Sequence, residues 1–118
     1  MRYLCLIYHE DDALENLAPD SSETVVRDTF EYRKELRQRG HWITASPVES
    51  ADTAMSVRVR HGDVVITDGP YAETKEQLGG FYLIEARDLN EAIRLASKMP
   101  SARLGCIEVR ALKELGSG

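Results

Sequence analysis

The sequence predicts a mixed α+β fold in the order β-α-β-(β-hairpin)-β-α-β, and three observations carry that prediction. Residues 23–39 and the stretch from 89 to Pro100 place apolar side chains at helical spacing. Short runs rich in β-branched and aromatic residues lie around and between them. A two-residue alternation on either side of His61-Gly62 marks a hairpin.

Residues 2–8, Arg2-Tyr3-Leu4-Cys5-Leu6-Ile7-Tyr8, are a continuous apolar run of strand length, followed by a polar loop over 9–20. Asp20 or Ser21 can cap a helix over 23–39, with Val26, Phe30 and Leu36 as its apolar side and Gly40 as its stop. Its outer face offers Glu23/Arg27, Arg27/Glu31 and Glu35/Arg39 at i,i+4, each worth about 0.2–0.5 kcal/mol when formed. That pattern reads as a solvated face. Residues 41–48 return to an extended pattern around Trp42 and Ile43, with Pro47 at a strand end or edge.

In residues 55–60, Met55, Val57 and Val59 share one face while Ser56, Arg58 and Arg60 share the other, and 63–68 returns as the second arm of the hairpin. Residues 81–86 are apolar on both faces. Asp88 then caps the second helix, with Glu91 completing a capping box and Leu89, Ala92, Ile93 and Ala96 forming its apolar stripe up to Pro100. A last strand covers 105–112, and 116–118 is expected to be a frayed or appended end, which leaves one domain over 1–115.

This order is the split βαβ, ferredoxin-like scheme with an inserted β-hairpin, and right-handed crossovers put both helices on one side of its sheet. The first strand and 81–86 are apolar on both faces, yet helices cover only one. A second copy of the chain is the simplest cover for the other, giving a homodimeric α+β barrel with a cavity between the two sheets. In that topology the first and last strands are neighbours, so Cys5 and Cys106 are expected near one another as buried, reduced thiols.

Composition removes several classes of function. The 118 residues carry a formal charge of −5, which disfavours a general nucleic-acid binder. No apolar run approaches the ~20 residues of a membrane span. The start Met1-Arg2-Tyr3-Leu4 leads into too short an apolar stretch for a secretory signal, so a cytoplasmic protein is expected. Two cysteines without metal-type spacing form neither a zinc site nor a disulfide framework, and no metal or cofactor is predicted.

Residues 67–80 hold the densest chemistry. Asp68 ends a strand, Gly69 permits a positive φ and Pro70 fixes the next one, so the chain turns sharply behind a carboxylate suited to general acid or base work. Turn chemistry alone is the commoner explanation of such a triplet. Arg58, Arg60 and Arg110 could grip an anionic substrate group if their face lines the cavity, although cross-strand pairing with groups such as Glu108 is the somewhat commoner explanation. Tyr71 and Tyr82 could line the same space but are more often packing residues. Of the histidines, His9 follows the first strand in an acidic loop and could meet the cavity, whereas His41 fits a helix end and His61 a turn.

The run Asp68-Gly69-Pro70-Tyr71-Ala72-Glu73-Thr74-Lys75-Glu76, continued by Gln77-Leu78-Gly79-Gly80-Phe81-Tyr82, resembles the DGPF motif of the YCII-related (DGPF-domain) proteins. Val57-Arg58-Val59-Arg60, Asn90-Glu91-Ala92 and Glu108-Val109-Arg110 extend the resemblance over nearly the whole chain. Tyr71 stands where the family usually has Phe, and Ala111 where it usually has Pro. The resemblance implies a homodimeric α+β barrel and supports Asp68 as a cleft carboxylate, with Glu73 and Lys75 as weaker candidates, but brings no established reaction. It also implies two functional classes. One is a cofactor-free enzyme or binder of a small molecule with Asp68 as acid or base. The other is a regulatory module accompanying an extracytoplasmic-function sigma factor.

Overall fold

The computed structural model describes residues 1–115 and has six strands and two α-helices. The expectation for 116–118 falls outside the described residues. A four-stranded antiparallel sheet joins β1 (Arg2–His9), β2 (Trp42–Pro47), β5 (Gln77–Glu85) and β6 (Gly105–Ala111) in the order β2-β5-β1-β6. Two helices, α1 (Pro19–Gln38) and α2 (Leu89–Ser97), complete the ferredoxin-like α+β scheme. The inserted hairpin, β3 (Met55–Arg60) and β4 (Asp63–Asp68), stands apart as its own two-stranded ribbon.

Alternation along β1 sorts the core. Tyr3, Cys5 and Ile7 point to the helices and pack with Tyr82 and Ile84 of β5 against Tyr32, Leu36, Ala92, Leu95 and Met99. Leu4 and Leu6 face the other way, opposite Leu83 and Phe81, and stay half-buried on a face that no helix of this chain covers. Cys106 pairs with Tyr8 on that open face, so Cys5 and Cys106 lie on opposite sides of the sheet. The expectation of two buried neighbouring thiols is corrected: Cys5 is buried and Cys106 exposed.

Helix boundaries shift for identifiable reasons. α1 begins at Pro19, with Ala18 as N-cap and no side-chain cap, because proline's missing N–H and fixed φ suit the first helical position. Its core-facing residues are Tyr32 and Leu36, while Val26 and Phe30 remain exposed. Of the three expected ion pairs only Glu35–Arg39 forms, at 3.8 Å, since Arg27 turns to the Thr24 hydroxyl. On α2 the buried stripe is Ala92, Leu95 and Ala96, so Leu89 and Ile93 face solvent. Asp88 caps it by accepting from the Glu91 N–H at 2.9 Å, and the Glu91 carboxylate accepts from the Arg87 N–H at 2.8 Å.

The ribbon forms where the sequence put it. His61 and Gly62 both have positive φ, 52° and 81°, as a two-residue hairpin turn requires. Met55, Val57, Val59, Val64 and Ile66 share one face in the pairing register and all are exposed. The ribbon also explains the spread of the molecule. Its radius of gyration is 16.4 Å, against about 13.5 Å for a compact chain of this length.

Candidate functional site

The pocket that combines enclosure with unspent hydrogen-bonding groups lies between α1 and the sheet, with a volume of about 270 Å³. α1 roofs it with Val25, Val26, Phe30 and Arg33, and the sheet floors it with Ile7, Tyr82 and the Gly79-Gly80 pair. Val26, Phe30 and Arg33 stand at i, i+4 and i+7, one stripe of the helix. That stripe overhangs the pocket while Tyr32 and Leu36 reach the core, which is why two large apolar side chains of α1 are not buried.

The floor is shaped by a bulge. Register slips between the pairs Ile7/Gly80 and Tyr8/Leu78, leaving Gly79 as the extra residue of β5. The His9 imidazole occupies the space a side chain at Gly79 would take. His9 Nδ1 lies 2.7 Å from the Glu10 carbonyl, so it carries the proton in the neutral ring and leaves Nε2 as an acceptor. A second slip between Trp42 and Thr44 keeps Trp42 in register with Ile84, on the helix side. There its ring meets Tyr82 edge-on at 6.3 Å, and the guanidinium groups of Arg33 and Arg37 stand over it at 5.8 and 4.6 Å.

Two polar atoms here are poorly satisfied. The Tyr82 hydroxyl and Arg33 Nε are both buried and neither has a well-formed hydrogen-bond partner, although the Arg33 side chain stands close enough to the phenol to act on it as a donor and a charge. Tyr82 is 2% exposed. Burial pushes its phenol above the ordinary value and outweighs the opposing pull of Arg33, so the group keeps its proton at neutral pH.

The residues expected to carry chemistry fall into separate places. Asp68, Glu73 and Lys75 do come together, around a shallow polar depression of about 300 Å³ at the root of the ribbon, with Asp11 and Asp52 beside them. The turn behind Asp68 is pinned: Gly69, at φ 109°, donates to the Ala54 carbonyl at 2.7 Å and accepts from the Ser56 hydroxyl at 2.8 Å. Lys75 is also paired with Glu10 at 3.5 Å. Arg58 and Arg60 occupy the ribbon face opposite to that of Asp68, and Arg58 lies over the exposed Tyr71 ring at 5.6 Å. Arg110 stands on the open face of the main sheet, bonded to Glu108 at 3.3 Å. His9 reaches the pocket beneath α1, and so does Tyr82, which the sequence offered as a cavity-lining alternative to a packing residue.

Sequence reasoning passed over Arg33 and treated Tyr82 as a packing residue. A signal was present in Phe30, Arg33 and Arg37 on neighbouring turns of one helix face, and in two adjacent glycines inside an apolar strand, which mark a close approach. His41, read as a helix-end residue, instead ties β2 to β5 through Nδ1 and the Glu85 carbonyl at 2.8 Å. No group of three metal-ligating side chains converges among the described residues.

Comparison with known proteins agrees with the architecture. A solved structure of 5-chloro-2-hydroxyhydroquinone dehydrochlorinase (TftG) from Burkholderia phenoliruptrix AC1100, in complex with 2,5-dihydroxybenzoquinone, superposes with a TM-score of 0.57. The match covers 96% of this chain and 94% of that one at 16% identity, a likeness of fold. An uncharacterized protein of Rhizobium meliloti (strain 1021) is 32% identical over 114 residues, covering 95% of this chain and 92% of that protein. The YCII-related domain matches residues 1–116, and the chain belongs to the YCII-related family.

Proposed function

We propose that this protein is a cytoplasmic homodimer that binds a small, largely apolar organic molecule in the pocket between α1 and the sheet. The observation that carries the reading is the pair of buried polar atoms without a well-formed partner, Tyr82 Oη and Arg33 Nε, in a largely apolar pocket whose other polar lining is His9, Thr29, Ser46 and Ser101. A few fixed polar groups on an apolar wall are the usual make-up of a ligand site. The size also fits, since a cavity of about 150 Å³ already holds benzene. The neighbour of like fold is named for a chlorinated hydroxyhydroquinone and was solved with a dihydroxybenzoquinone, single rings of comparable bulk.

The homodimer rests on the open sheet face and on the one-sided apolar ribbon. A two-stranded ribbon on its own is marginal in water, and a second copy supplies the missing support. Asp68, with its turn pinned at a strand end, lies outside this pocket and stays a candidate acid or base only for cofactor-free chemistry at the separate depression at the root of the ribbon. An accessory role beside a sigma factor gains no support from the fold or the comparisons. Cytoplasmic placement accords with two free cysteines, and no helix among the described residues is long and apolar enough to cross a membrane.

The test is a thermal-shift metabolite screen run on wild type, Tyr82→Phe and Asp68→Asn together, since a ligand that prefers the folded state raises its melting temperature. Hits lost in Tyr82→Phe and kept in Asp68→Asn place the site beneath α1. Hits lost only in Asp68→Asn move it to the root of the ribbon and overturn the proposal. A particle that stays at 13.3 kDa in light scattering at micromolar concentration removes the dimer.

A further inference from the structure

Resting on the proposed pocket beneath α1, we infer that its ligand is an anion: a compact apolar body bearing one ionised oxygen group, carboxylate or phenolate, received by Arg33 and Tyr82. Arg33 is the only Arg, Lys, Asp or Glu among the residues lining the pocket. In a chain with formal charge −5, a cation set into an apolar wall with no acid beside it makes a local positive site. Arg33 forms no ion pair among the described residues. Its guanidinium is instead held between aromatic rings, 5.7 Å from Phe30 and 5.8 Å from Trp42, and Arg37 adds a second positive charge over the far partner, Trp42.

The open valences are those of donors. Arg33 Nε has only a proton to offer, and Tyr82, kept protonated by burial, offers another. A permanent cation with a protonated phenol as its neighbour is complementary to an oxygen with full negative charge, and charge-assisted hydrogen bonds are the strong kind. Neutralising the guanidinium is what a neutral ligand or a water molecule cannot do.

The remainder of the pocket asks for carbon. Ile7, Leu14, Val25, Phe30 and Leu104 line it, and a volume of about 270 Å³ admits one ring or a short branched chain. His9 belongs to the other end. Cys5, the strand partner of Tyr82, and His9 are four residues apart on β1, about 13 Å at the rise of a strand. The His9 Nδ1 is already engaged by the Glu10 carbonyl at 2.7 Å.

The experiment is calorimetric titration of the full-length protein with benzoate, 4-nitrophenolate, benzamide and benzyl alcohol, repeated on Arg33→Gln, Arg33→Lys and Tyr82→Phe. At least one of the two anions is expected to bind about tenfold or more tightly than either neutral probe. That preference should vanish in Arg33→Gln, survive in part in Arg33→Lys, and weaken about tenfold in Tyr82→Phe. The ratio of benzoate to 4-nitrophenolate affinity then says which oxygen group is preferred. Neutral probes that bind as well as the anions overturn the charge selection while leaving the pocket as a binding site. Anions that bind wild type, Arg33→Gln and Tyr82→Phe alike show an anion site elsewhere and overturn the assignment. Failure of all four probes removes the pocket reading along with it. Should Arg33→Gln not fold, Arg33→Lys and Tyr82→Phe carry the same comparison.

Discussion

Gly79 makes room for His9: a Cβ at position 79 would fall inside the imidazole ring's own contact distance, with Nε2 as its nearest neighbour. The bulge in β5 and the position of the histidine are therefore one feature. Gly79→Ala forces either the ring out of place or the strand away from it, and overpacking of this kind costs about 1–3 kcal/mol. Urea denaturation is expected to show that loss, and the double variant His9→Ala/Gly79→Ala to recover most of it. A double-mutant cycle with no coupling would refute the contact.

The α2 cap should respond both to substitution and to acid. Asp88→Ala removes the acceptor for the Glu91 N–H and is expected to cost about 1 kcal/mol in urea denaturation. The Arg87 N–H holds the Glu91 carboxyl below its ordinary 4.5. A depressed folded value means that Glu91 stabilises the fold above pH 4.5 and that this contribution is lost as pH falls through the folded value. Glu91→Gln should flatten that part of the acid limb.

Alkali should act through the core. Burial pushes the Cys5 thiol from 9.0 up to about 11, and it raises the Tyr32 and Tyr82 phenols above 10.0. Groups raised on folding stabilise fully below their unfolded values, and that stability is lost as pH climbs toward the folded ones. Urea midpoints are therefore expected to hold steady from neutral pH up to 9.0 and to decline above it. Cys5→Ala should remove the first part of the decline, ~3 kcal/mol at most. An unchanged midpoint throughout the alkaline range would contradict the burial of all three groups.

The ribbon supplies the fourth expectation. Val59 and Val64 sit directly opposite one another on its exposed apolar face. Replacing both with Glu puts two like charges where a second copy is proposed to seat, and self-association should weaken about a hundredfold. Sedimentation velocity would then show a shift toward the 13.3 kDa species. Unchanged mass distribution would mean that the ribbon takes no part in assembly.

What was legible in the sequence was local. The His61-Gly62 turn, the Asp88 cap and the two-sided apolar β1 follow from residue type and spacing within a few positions, and each stands where expected. The start of α1 was missed because Pro19 outweighed the side-chain caps that follow it. Asp68, Glu73 and Lys75 lie around one depression because one short segment carries all three. Arg33 and Tyr82 were not grouped, since a helix and a strand distant in sequence bring them together only after the sheet has closed. Both register slips, at Gly79 and beside Trp42, depend on neighbouring strands and leave no periodic trace.

Trp42 is the only tryptophan of the chain, and it stands edge-on to Tyr82 with Arg33 over its ring. Selectively excited indole emission from this molecule therefore comes from one known spot, beside the two buried donors. A change in intensity or wavelength on adding a compound reports an event there without any attached dye. The protein comes with its own optical probe, and replacing Trp42 with Phe supplies the dark control.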